Sequence, residues 1–166
     1  HSTSRRQRQM CIRDRLNQEE HGALPAIVPE HMMTCEVPNI VISEACYGGR
    51  FTGLDKYHSM MLASLHTNTL AFVGSSRVAW GAIDTPSASQ SEISISYADI
   101  IALYFINAIL QGFSAAEALF IARSAVLQGT APGDPHAALT IVEFNLFGDP
   151  LTFMNTCLLY TSPSPR

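Results

Sequence analysis

A cysteine stands shortly after a β-branched run, in a position where it could act as a nucleophile. Residues 40–42 (Ile-Val-Ile) are typical of a strand buried on both faces of a sheet. Cys46 follows this strand, and Gly48 and Gly49 then release the backbone into a loop. Open α/β sheets place their chemistry at the carboxyl ends of strands, where a thiol is exposed enough to react. The alternative is a small buried thiol that only fills space.

A nucleophilic thiol needs a proton acceptor, and histidine is its usual partner. His21, followed by Gly22, lies upstream of Cys46 and is the candidate general base. The residues before it, 16–20, are polar and do not read as a buried strand. The alternative is therefore that the catalytic histidine belongs to sequence further upstream.

The other histidines receive weaker predictions. His31 and Cys35 have a spacing that a metal site could use, but two ligands do not close such a site. His58 and His66 are interpreted as polar-face residues on or near a helix, and His136 lies in a predicted turn without a role. We therefore predict no metal and no cofactor.

Both ends of the chain look foreign to the fold. Residues 1–15 and 157–166 resemble translated sequencing adapters, although their composition would also suit a basic arm and a Pro/Ser tail. Such segments carry no information about the fold. We expect residues 16–156 to be a domain fragment cut at both ends, and the flanking segments to be disordered or unpacked.

Removing the ends changes the charge balance. The net charge of the whole chain is −4, but six of its ten cationic residues lie in the suspect ends. The four left inside residues 16–156 are Arg50, Lys56, Arg77 and Arg123. No basic stripe remains, so we predict no nucleic-acid partner. No apolar run approaches the roughly 20 residues that span a bilayer, and two remaining cysteines imply no disulfide framework.

Hydrophobic periodicity predicts an α/β domain with a mostly parallel sheet. The predicted strands are residues 40–43, 70–73 and 139–144, and the predicted helices are residues 57–66, 99–110 and one opening with the capping box at Ser114. Residues 29–33 form a possible helical turn, and residues 81–96 a long polar loop. The first two strands, joined by a helix, should be adjacent and parallel.

Four stretches together resemble the catalytic domain of gingipain-like cysteine peptidases, in the clan that also holds caspases, legumain and separase. They are IVISEACYGGRF around Cys46, LAFVGSSRVAWG from residue 70, FSAAEALFIARSAV, and FNLFGDPLT near the end. They occur in the family's order and span most of residues 39–152. The resemblance implies a three-layer sandwich of caspase type, a cysteine peptidase activity on protein or peptide substrates, and an extracellular or cell-surface location.

The same resemblance implies roles for individual residues. Cys46 would be the nucleophile and His21 the base. The backbone N–H groups of Cys46 and Gly22 would hold the oxyanion, and Ser75 and Trp80 would line the primary specificity pocket. Asp149 is interpreted as a turn residue.

Two other functions stay open. The chain could be a non-catalytic relative that keeps the scaffold as a binding or secretion-associated module. An unrelated α/β hydrolase would need Gly-x-Cys-x-Gly, and the sequence has Glu44 where the first glycine should be. For the peptidase, the sulfur of Cys46 should face a cleft between the loops 47–54 and 75–81, which follow neighbouring parallel strands. The oligomeric state is left open by the sequence.

Overall fold

The computed structural model describes residues 27–80 and 97–154 of the 166-residue chain. Within these ranges the chain forms helices and strands in a mixed α/β order. They are α1 (Pro29–Met33), β1 (Asn39–Ser43), α2 (Met60–Leu65), β2 (Thr69–Ser75), α3 (Ala98–Leu110), α4 (Ala115–Gly129), α5 (Pro135–Glu143) and β3 (Phe144–Gly148).

The three strands form one open sheet in the order β1-β2-β3. Strands β1 and β2 are parallel, with Ile42 opposite Val73. This confirms the predicted parallel neighbours, and α2 lies in the crossover between them. Strand β3 runs antiparallel to β2, with Phe147 opposite Phe72. The described sheet is therefore mixed, and its parallel part is the pair that precedes and follows α2.

The main hydrophobic core lies on one face of the sheet. Ala71 and Val73 of β2 belong to a cluster of buried side chains built mainly from α3, α4 and α5, and Ile40 and Ile42 of β1 pack against it. Phe72 alternates with these residues along β2 and is fully buried outside this cluster. Helix α2 contacts β2 and has Met61, Ala63 and Ser64 buried. The apolar run in β2 thus buries side chains on both of its faces.

The predicted third strand, residues 139–144, is wrong. Most of this segment belongs to α5, and the strand begins only at Phe144. The carboxylate of Asp134 accepts a hydrogen bond of 2.8 Å from the backbone N–H of His136, and Pro135 occupies the first helical turn. Ala137 and Thr140 are buried three residues apart, which is helical spacing. The cap and this spacing outweigh the β-branched composition that suggested a strand.

The other helix predictions are confirmed, with shifts at their ends. The predicted helix over residues 57–66 is shorter, because Ser59 caps α2 by accepting a hydrogen bond of 3.3 Å from the N–H of Leu62. Helix α4 opens with the predicted capping box, in which Ser114 and Glu117 exchange hydrogen bonds. Gly112, predicted to close α3, has a φ of +90°, which favours glycine.

Several predictions fall on residues outside the described ranges. These are the adapter-like ends, His21, Gly22 and the polar loop 81–96. In the part of the chain that is described, no helix combines the length and apolar character needed to cross a bilayer.

Candidate functional site

Cys46 lies just beyond the carboxyl end of β1, beside the segment that follows β2. Its side chain is half-buried and packs against the hydrophobic core. Its Sγ atom is 3.5 Å from the carbonyl oxygen of Ala79. The cysteine is thus next to the loop that the sequence predicted as its neighbour.

Backbone hydrogen bonds fasten the loop after β1 to the loop after β2. The N–H of Tyr47 donates to the carbonyl of Arg77 at 2.6 Å, and the N–H of Gly49 donates to the carbonyl of Ser75 at 2.9 Å. Tyr47 has a φ of +60°, in the left-handed region that non-glycine residues rarely adopt. Strained backbone of this kind needs the surrounding contacts to hold it, and here both bonded loops supply them.

The loop after β1 approaches the end of β2 so closely that glycine is required on both sides. A Cβ atom on Gly49 would lie 2.6 Å from the carbonyl oxygen of Gly74, and one on Gly74 would lie 2.9 Å from the nitrogen of Gly49. Both distances are shorter than real Cβ contacts, so any side chain would push the loop away from the strand. Gly49 therefore does more than open a turn, which was the only role the sequence suggested.

The oxidation state of Cys46 limits its chemistry. Cys46 is disulfide-bonded, whereas Cys35 is free. A disulfide sulfur is not a nucleophile, since the thiolate is the reactive form. Any attack by Cys46 therefore requires the reduced protein. Cys35 lies elsewhere, where its sulfur accepts a 3.1 Å hydrogen bond from the Asn39 amide.

Ser75 and Trp80, the predicted pocket residues, both lie in the segment that starts at the end of β2. Ser75 is fully buried, and its hydroxyl donates to the carbonyl of Arg77 at 3.1 Å. Trp80 is half-buried, and its carbonyl accepts a 2.8 Å hydrogen bond from the N–H of Ala98 in α3. The hydroxyl of Ser75 thus stabilises the turn after β2 and is not accessible. The indole of Trp80, in contrast, is partly accessible.

The Trp80 indole packs against His136, a residue to which the sequence assigned no role. Their ring centroids are 4.4 Å apart, with an angle of 62° between the planes, an edge-to-face contact. The imidazole Nδ1 lies 3.5 Å from the carboxylate of Asp134, which also accepts a 2.7 Å hydrogen bond from the hydroxyl of Tyr97. The sequence Asp134-Pro135-His136 could have predicted this arrangement. It is typical of a helix start, where the capping aspartate lies close to the side chains of the first turn.

The Tyr97–Asp134 hydrogen bond shifts the pKa of both residues. It lowers the pKa of Asp134 below the usual value for a carboxyl, helped by the N–H of His136. The same bond raises the pKa of Tyr97. Asp134 is therefore an anion that joins the start of α5 to the residue preceding α3.

Two carboxyl groups meet beside Cys46. Glu44, two residues before the cysteine, is hydrogen-bonded to Asp99 in the first turn of α3. This bond, together with partial burial and the negative charge of Asp99, raises the pKa of Glu44 to about 7. The pair therefore retains a proton near neutral pH. The sequence does not predict this pair, because Asp99 is distant from Glu44 along the chain and only the fold brings the two together.

A buried acid, Glu143, lies behind the loop after β2. Burial raises the pKa of Glu143, and the positive charge of Arg77 partly offsets the effect. The N–H of Ser76 donates to the Glu143 carbonyl at 2.9 Å. Arg123 donates to the carbonyl of Phe144, and burial lowers its pKa. The Ser76–Glu143 bond joins the end of α5 to the loop after β2, and the Arg123 bond joins α4 to the start of β3.

The predicted base and the second oxyanion donor, His21 and Gly22, lie outside the described residues, so their relation to Cys46 stays a prediction. Within the described ranges, no group of three or more His, Cys, Asp or Glu side chains could hold a metal ion. Asp149 is a turn residue, as predicted, since its carboxylate accepts a 2.9 Å hydrogen bond from the N–H of Leu151.

Comparison with protein-family models, with curated proteins and with solved structures finds no match to this chain.

Proposed function

We propose that this chain carries a cysteine endopeptidase domain of gingipain and caspase type, built on a three-layer sandwich, with reduced Cys46 as its nucleophile. The observation that carries the proposal is the position of Cys46. It follows the first of two parallel strands, in a loop hydrogen-bonded to the loop after the second. Side chains at this edge of an open α/β sheet are where such folds perform chemistry. The resemblance of four sequence stretches to that family adds to the argument.

In the proposed reaction the thiolate of Cys46 attacks the carbonyl carbon of a peptide bond. A C–S bond forms, the C–N bond breaks, and the protonated base gives its proton to the leaving amine. Water then hydrolyses the thioester, which releases the acid and restores the thiol. His21 is the proposed base, and a histidine upstream of this sequence is the alternative. The N–H groups of Cys46 and Gly22 would stabilise the oxyanion.

The remaining parts of the proposal concern substrate and setting. Ser75 and Trp80 would border the pocket for the substrate side chain, and Trp80 offers a partly accessible indole for that role. The chemistry needs no cofactor. A protein or peptide substrate and an extracellular or cell-surface location follow from the family resemblance.

Alkylation of the reduced protein tests the nucleophile. We expect iodoacetamide to modify Cys46 at lower pH than Cys35, because a catalytic thiol ionises more readily than an ordinary one. Mass spectrometry of each cysteine-containing peptide gives both rates in one sample, and Cys46→Ala confirms the assignment. Equal rates for the two thiols would refute the proposal for this chain. Cleavage of a mixed peptide library, lost in Cys46→Ala and in His21→Ala, tests the activity.

A second candidate is a non-catalytic relative with the same scaffold. The disulfide at Cys46 favours it, since a bonded sulfur serves structure rather than catalysis. The two candidates differ in the reduced state. The peptidase gains activity on reduction, whereas the non-catalytic module loses stability and cleaves nothing.

A further inference from the structure

Trp80 is held between the starts of two helices. Its backbone carbonyl accepts a 2.8 Å hydrogen bond from the N–H of Ala98, the first residue of α3. Its indole makes the edge-to-face contact with His136, in the first turn of α5, at 4.4 Å between centroids. The backbone and the ring of Trp80 are thus fixed by different elements.

His136 is itself fixed by its neighbours. Asp134 accepts a 2.8 Å hydrogen bond from the N–H of His136 and lies 3.5 Å from Nδ1 of its imidazole. The hydroxyl of Tyr97 donates to the other oxygen of Asp134 at 2.7 Å, and the Tyr97 ring lies 6.1 Å from the His136 ring. These contacts make one connected unit of four side chains from three segments of the chain.

We propose that His136 is a positioning residue that sets the orientation of the Trp80 indole, with Asp134 and Tyr97 holding His136 in place. This inference rests on the proposed function, in which Trp80 borders the substrate pocket. A half-buried indole with no ring behind it could adopt several rotamers, whereas the edge-to-face contact favours one. The pocket would then be formed before substrate binds, which reduces the entropy cost of binding.

Trp80 is the only tryptophan of the chain, so fluorescence reports on it alone. His136→Ala removes the ring contact, and His136→Phe keeps an aromatic ring in its place. We expect acrylamide quenching of Trp80 to increase about two-fold in His136→Ala, because the indole loses an aromatic contact on one side. In His136→Phe we expect quenching near the wild-type value.

His58→Ala is the matched control. His58 also pairs with an aspartate, Asp55 at 2.7 Å, but its side chain is 72% exposed and lies away from Trp80 in the chain. Quenching in this variant should equal that of the wild type. A His136→Ala protein with wild-type quenching, or an equal increase in His58→Ala, would overturn the inference. Circular dichroism of each variant confirms that it is folded, and the exposed position of His136 makes folding the expected result.

Peptide cleavage separates this inference from the proposed function. In an active enzyme, His136→Ala should raise KM about five-fold and leave kcat within two-fold, since Trp80 binds the substrate rather than reacting. A fall in kcat at unchanged KM would contradict a positioning role. A wild-type protein that cleaves no peptide refutes the peptidase, and the quenching comparison still decides whether His136 orients Trp80.

Discussion

At the scale of single residues, the shared proton of Glu44 and Asp99 links pH to the structure around Cys46. The pKa of Glu44 in the folded protein, about 7, lies above its ordinary value of 4.5. The folded state therefore binds this proton more tightly than the unfolded state does. The resulting stability is fully present below pH 4.5 and is lost as the pH rises through 7.

Glu44→Gln should remove this pH dependence, because the amide donates a hydrogen bond to Asp99 at every pH. We expect the free energy of unfolding of the variant to exceed that of the wild type at pH 8 by no more than about 1 kcal/mol. The effect is small because the Glu44 side chain is exposed and solvent screens its interaction with Asp99. At pH 5 the difference should shrink. Urea unfolding at both pH values measures it, with Glu36→Gln as an exposed control. A constant difference between the two pH values would contradict the shared proton.

A substitution at Gly49 tests whether the fold depends on the close approach of the loop after β1 to the end of β2. We expect Gly49→Ala to lower the free energy of unfolding by about 2–4 kcal/mol, because its Cβ would meet the backbone of Gly74. Gly129→Ala is the control. Its Cβ would have only Ile100 nearby, at 3.9 Å, so its effect should stay within about 0.5 kcal/mol. Chemical denaturation of both variants gives the comparison, and equal stabilities would show that the loop can move away from the strand freely.

The sequence predicted that Cys46 follows a strand and lies beside the loop after the next parallel strand, because strand order and loop placement follow from local pattern. It did not predict Glu44 with Asp99, or Trp80 with His136. These pairs join residues far apart in the chain, and nothing in the local sequence pattern links one partner to the other. Only the fold brings them together: the start of α3 is hydrogen-bonded to Trp80, and α5 contacts β2.

At the scale of elements, the residues at helix starts explain why some helices were predicted correctly and why the third strand was not. The capping box at Ser114 was recognised and α4 begins there, whereas His136 was interpreted as a turn residue although it lies in the first turn of α5, after the cap at Asp134. The run Leu-Thr-Ile-Val has high β-propensity, but side-chain burial at helical spacing decided its structure. Propensity is a weak signal wherever tertiary packing opposes it.

Ser114→Ala should destabilise the protein by about 1 kcal/mol, since it leaves the backbone N–H of Glu117, at the start of α4, without its side-chain acceptor. Ser124→Ala, in the middle of the same helix, is the matched control. The Ser124 hydroxyl bonds only to the carbonyl of Phe120, four residues earlier, so its removal should change stability by less than about 0.5 kcal/mol. Thermal unfolding of the two variants measures the difference. Equal losses would mean that the cap contributes nothing specific.

At the scale of the whole molecule, the parallel pair and the helical layer were predictable, and the direction of β3 was not. Helix α5 passes directly into β3 at Phe144, so the chain has no further crossover in which to reverse. The strand consequently returns antiparallel along β2. A sequence pattern gives a strand's composition, but its direction depends on where the preceding helix ends.

The hydrophobic core also predicts which part of the chain is needed for folding. All buried members of the core cluster lie between Ala71 and Phe144, inside the predicted domain of residues 16–156. In reducing buffer, we expect a chain of residues 16–156 to have the same free energy of unfolding in urea as the full chain, within about 0.5 kcal/mol. A chain ending at Gly148 is the control. It loses the buried Thr152, whose carbonyl accepts a 2.8 Å hydrogen bond from the N–H of Ala115, and should be less stable. A loss above about 1 kcal/mol in the 16–156 chain would show that the excluded ends pack against the fold.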